Sequence, residues 1–202
     1  NEKHPYRLIY SEVSFTEERN DNYRIFLPNN YKDIEGMNGE IKNIFAHNTQ
    51  LIVFTPRSAL VFKPSYEEKI IGSIVSYVGT GSVLSIDPQN VINTSNGIFG
   101  GMTGRFGWIL LNDTVYYIDE EGRSINMFSL SGRESAITSL SMAMIDKYCK
   151  DNIQLKQVFD YFRLHSVEFP HKDMPYGKNG VGYLVGYDNK NNRILFTKKD
   201  KD

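Results

Sequence analysis

The sequence has 202 residues, 40% of them hydrophobic and 13% aromatic, with a formal net charge of -1. That length holds one large domain or two small ones around a sizeable core. The near-neutral charge gives no general reason to expect a polyanion partner. No apolar run approaches the roughly 18 residues of a membrane-spanning helix, and the single cysteine, Cys149, excludes an intrachain disulfide and argues against a cysteine-based zinc site.

The sequence opens on Asn1 rather than Met, and no charged-then-apolar leader is visible. A processed product or a piece of a longer chain is expected. Tyr6 to Tyr10 and Tyr23 to Phe26 read as short strands, Pro28-Asn29-Asn30 as a turn, and Asp33 to Glu40, with Gly36 and Gly39, as loop. Ile44-Phe45-Ala46 precedes the polar break His47 to Gln50. Leu51-Ile52-Val53-Phe54 is a continuous apolar run, the pattern of a strand covered on both faces. Thr55-Pro56-Arg57-Ser58 is a turn, with Pro56 supplying the φ its second position needs, and Ala59 to Phe62 returns as the partner strand.

The hairpins recur. Trp108 to Leu111 and Val115 to Ile118 flank Asn112-Asp113-Thr114, where Asn and Asp tolerate the left-handed backbone of a tight turn. Asp119 to Gly122 is the next connection, with Gly122 suited to positive φ. Ser124 to Phe128 alternates with period two and completes a three-stranded meander. Tyr183 to Tyr187 and Arg193 to Thr197 form a last hairpin around Asp188 to Asn192. Between them the period changes. Leu140, Met144, Ile145 and Tyr148 recur at helical spacing after Ser139, a plausible N-cap, and Val158, Phe159 and Phe162 do so again. A helical insertion over 138–164 is expected.

Successive hairpins begin at Leu51, Trp108 and Gly182. Taking out the 27 residues of the insertion brings the second spacing from 74 to 47 positions, within the roughly 40–50 residues of a propeller blade. The expected fold is mainly β: antiparallel meanders forming β-propeller-like blades with a short α-helical insertion, residues 1–202 making one module. A sandwich or barrel also fits meanders of short strands.

No constellation points to catalysis. His4, His47, His165 and His171 lack zinc-pair spacing. Cys149 falls near the end of the expected helix, where a thiol is not activated. Seven of the 16 glycines lie in Gly79 to Gly81 and Gly97 to Gly107, but no phosphate-binding loop is among them. They read as turns where strands pack closely. Asp188 to Asn192 puts Lys190 at the third ligand position of a calcium loop, so a hairpin tip is expected instead. No catalytic residue, cofactor or metal ligand is expected. The C-terminal Lys198-Lys199-Asp200-Lys201-Asp202 reads as a solvated end.

An ordered series of motifs carries more than composition does. It runs Tyr6 to Ser11, Asn22 to Phe26, Asn29 to Asp33, Gly39-Glu40-Ile41 and Leu51 to Phe54. It continues with Gly79-Thr80-Gly81, Asn96 to Gly100, Val115 to Asp119, Gly122 to Ile125, Ser129 to Ser131 and Asn192 to Asp200. This series resembles the large tail proteins of short-tailed, crAss-like bacteriophages, the packaged-DNA stabilisation, tail-tube or muzzle-like proteins. The resemblance implies a propeller-like architecture and a non-enzymatic role in a tail assembly around the DNA exit channel of the virion. It implies a protein longer than 202 residues, made in the bacterial host cytoplasm, with no catalytic residues to carry over.

The partners so implied are other tail subunits and a homo-oligomeric ring of the full-length protein, with no specific nucleic-acid sequence and no membrane. The insertion's Met142, Met144, Tyr148, Phe159 and Phe162 are the candidate interface, because adaptable and aromatic side chains favour contacts. Packing as ordinary core is the other fate open to them. A competing function is a carbohydrate- or receptor-binding propeller, with Trp108, Tyr116, Tyr117 and Tyr183 stacking on sugars.

Overall fold

A computed structural model of the chain describes residues 3–13, 21–64, 67–71, 74–78, 82–91, 100–119, 124–130, 138–139, 176, 180 and 182–199. Their regular structure is β throughout, apart from 3-10 turns at Asn22–Arg24 and Gly36–Asn38. The strands are β1 (Arg7–Ile9), β2 (Tyr31–Asp33), β3 (Asn43–His47), β4 (Gln50–Phe54), β5 (Ala59–Phe62), β6 (Glu67–Ile71) and β7 (Ile74–Val78). They continue with β8 (Gln89–Val91), β9 (Trp108–Leu111), β10 (Thr114–Asp119), β11 (Ser124–Ser129), β12 (Thr138–Ser139), β13 (Gly182–Asp188) and β14 (Arg193–Lys199).

All the pairings are antiparallel. They make two four-stranded sheets, β3-β4-β5-β8 and β12-β11-β10-β9, and three ribbons, β1-β2, β6-β7 and β13-β14. The first sheet is an inner layer, covered on both faces. Because side chains alternate across a strand, Ile52, Phe54, Ala59 and Val61 share one face, while Val53, Leu60 and Phe62 share the other. The register, Ile52 opposite Val61 and Val53 opposite Leu60, keeps each set together. All seven are buried, which explains why both strands read as unbroken apolar runs.

The first of those faces meets the second sheet through Val115, Tyr117 and Phe128, joined by Leu130, Met102 and Val91. Aromatic rings run along this seam. Phe45 stacks on Trp108 at 4.3 Å, and Phe54 packs on Tyr117 at 5.0 Å and edge-on to Phe128 at 6.2 Å. Such pairs add roughly 0.5–1.5 kcal/mol each beyond burial. The other face of the first sheet is covered by Leu8 and Ile34, around the β1-β2 ribbon. The far face of the second sheet is covered by the β13-β14 ribbon, where Tyr183 joins Ile118 and Ile125. The layers therefore run ribbon, sheet, sheet, ribbon.

A short strap locks the two sheets. The Met102 N–H donates to the Thr55 carbonyl at 2.8 Å, and the Tyr117 hydroxyl donates to the Gly100 carbonyl at 3.0 Å. Between those anchors Gly101 runs under the β4–β5 turn, itself closed by the Thr55 and Ser58 side chains at 2.9 Å. Burial holds the Tyr117 phenol well above its ordinary pKa. The Asp119 charge adds to that rise, and a hydrogen bond with Asn126 opposes it.

Several sequence expectations meet the structure directly. The β4–β5 hairpin, the β9-β10-β11 meander and the β13–β14 hairpin form as read. Asn112 and Asp113 both take positive φ, 48° and 61°, as a tight hairpin between right-twisting strands requires. Tyr23 to Phe26 is not a strand. The Arg24 and Ile25 amides donate to the Asp21 and Asn22 carbonyls, and these local bonds wind Asn22–Arg24 into a 3-10 turn. Residues 33 to 40, read as loop, begin with the end of β2 and contain the second 3-10 turn. β6, β7 and β8 have no counterpart in the sequence reading.

Among the described residues the sheets close into neither a barrel nor a ring of blades. Of the insertion expected at 138–164, Thr138 and Ser139 form β12 on the edge of the second sheet, opposite Met127 and Asn126. The rest of that segment, and Gly122, lie outside the described residues.

Candidate protein interface

Among the described side chains no group of three or more His, Cys, Asp or Glu is arranged to hold a metal ion. His47, read from the sequence as a loop histidine, instead ends β3, and its Nε2 lies 2.5 Å from Asp113 Oδ1 at the tip of the β9–β10 hairpin. It thus bridges the turn ends of the two sheets. His165, His171 and Cys149 lie outside the described residues.

The same is true of all five candidate interface residues, Met142, Met144, Tyr148, Phe159 and Phe162. The four aromatics of the sugar-stacking alternative are described. Tyr117 and Tyr183 are buried in two different clusters. Trp108 is half-buried on Phe45, its indole N–H donating to the Arg105 carbonyl at 3.1 Å. Tyr116 is half-buried. No shared aromatic platform results.

What the surface offers instead is an apolar arm at the N-terminus. Cross-strand neighbours share a face, so Arg7, Ile9, Tyr31 and Asp33 lie together on the outer side of the β1-β2 ribbon, opposite the buried Leu8. Arg7 fixes this face. Its guanidinium grips Asp33 through two bonds of 2.7 and 2.8 Å and lies 3.8 Å over the Tyr31 ring. That grip holds the Asp33 carboxyl below its ordinary pKa. On the other side Lys32 reaches Asp87 at 2.6 Å and ties the ribbon to the loop before β8.

Past Ile9 the ladder stops, but the two segments stay together. The Tyr10 N–H donates to the Asn30 carbonyl, the Glu12 N–H to the Ile25 carbonyl, and the Asn30 amide to the Glu12 carboxylate. This arm carries Ile9, Tyr10, Val13, Tyr23, Ile25, Phe26, Leu27 and Tyr31, all exposed, with Val13 at 66% and Phe26 at 58%. Single exposed apolar residues are ordinary, whereas a concentration of them within one arm marks a contact surface. The sequence did show these apolar clusters. It did not show which side of them faced outward, because contiguous apolar residues carry no alternation.

Two packed antiparallel sheets with an exposed apolar arm define a mainly β module. The chain belongs to the Crassvirus muzzle protein family, whose model matches residues 1–202. It is a bacteriophage protein with a structural role in the virion, and the resemblance seen in the ordered motifs is borne out. No curated protein matches the chain.

Proposed function

We propose that the chain is a non-enzymatic wall element of the phage tail, assembled as a homo-oligomeric ring around the DNA exit channel with other tail subunits. The observation that carries this reading is the exposed apolar arm on an otherwise closed β core. A subunit of a ring has to bury surface against neighbours, and an arm tied to the core by Leu8 and by the Lys32–Asp87 pair is held ready for that.

The two sheets support a propeller-like reading. Each is a four-stranded antiparallel meander, and they pack face to face as neighbouring blades do. In this reading β3-β4-β5-β8 and β9-β10-β11-β12 are consecutive blades. The segment 138–164, with Met142, Met144, Tyr148, Phe159 and Phe162, is a second docking element, on the strength of its composition alone. The near-neutral charge favours a wall that lets DNA pass over one that grips a sequence.

A density map of the virion tests the reading. The expected result is a ring of copies lining the exit channel, with the arm around Ile9 and Phe26 covered by a neighbouring chain. A single copy per virion, or an arm facing open solvent in the assembled tail, would overturn it.

A further inference from the structure

We draw no further inference here: the strongest candidate, the outer face of the β13-β14 ribbon, where Gly186 leaves open space opposite the exposed Leu195, is an apolar surface with nothing in the structure to show what covers it.

Discussion

Gly101 runs against the backbone of Pro56 so closely that a Cβ built on it would lie 2.3 Å from both the carbonyl carbon and the carbonyl oxygen of Pro56. Neither backbone can yield without pulling Met102 off the Thr55 carbonyl or opening the β4–β5 turn. Gly101→Ala should therefore destabilise the fold by about 2–3 kcal/mol, the upper range for overpacking. Denaturant unfolding checks this, and an unchanged midpoint would mean that the strap is not held as described.

Tyr117→Phe keeps the ring in the aromatic seam and removes the donor to Gly100. The expected loss is about 1–2 kcal/mol, the cost of leaving a buried carbonyl without its partner. The wild-type phenol gives a second readout. Its pKa in the folded protein lies above the ordinary 10.0. Above that pH the unfolded chain releases the Tyr117 proton and the folded chain keeps it, so stability falls as pH rises. Ultraviolet titration should show Tyr117 silent until the protein unfolds in alkali, and Tyr117→Phe should lower the number of silent tyrosines by one.

The Arg7–Asp33 grip acts at the other end of the pH scale. Asp33 titrates below the ordinary 3.8 because the Arg7 side chain hydrogen-bonds its charged form. The pair's contribution is complete above that pH and disappears as pH falls through the folded value. Carboxyl chemical shifts followed by NMR should place Asp33 below 3.8, and Arg7→Ala should return it towards that value. A carboxyl that titrates normally in the wild type would contradict the grip.

The Asn112-Asp113 turn offers a local test. With Asn112 at φ 48°, a β-branched residue is strained there. Asn112→Val should cost about 1–2 kcal/mol, measured by thermal unfolding. Asn112→Gly should cost little, since glycine adopts that φ freely.

The apolar arm predicts a separation of stability from assembly. Ile9→Asp with Phe26→Asp changes two exposed side chains, so each should alter folding stability by no more than about 0.5 kcal/mol. The same double variant should fail to enter virions in a complementation assay. Normal incorporation would remove the arm from the contact surface.

Where strands are covered on both faces or joined by a turn of defined chemistry, the sequence was sufficient. Leu51 to Phe54, Asn112-Asp113 and Asp188 to Asn192 each carry a pattern with one structural solution. β6 begins Glu-Glu-Lys and β8 is Gln-Asn-Val, and neither alternates. They become strands because a neighbour supplies the ladder, and a neighbour is not written in a local pattern. At Tyr23 a local amide bond won over aromatic β-propensity. The apolar arm was visible as residues but not as a surface, since exposure depends on which elements the fold leaves uncovered. The strap at Gly101 had a signal of its own, a Gly-Gly pair, although its partner Pro56 lies 45 positions away.

The sequence of layers also fixes the order in which the molecule comes apart. Among the described residues each layer packs on the next, so removing an outer ribbon exposes one face of one sheet and leaves the aromatic seam closed. Unfolding then proceeds from outside inward, like the fraying of a short linear array. Amide protons of β1 and β14 would exchange with solvent through small openings, and those of β4 and β10 only through global unfolding. A subunit built this way can loosen either outer ribbon to meet a neighbour while its centre stays shut.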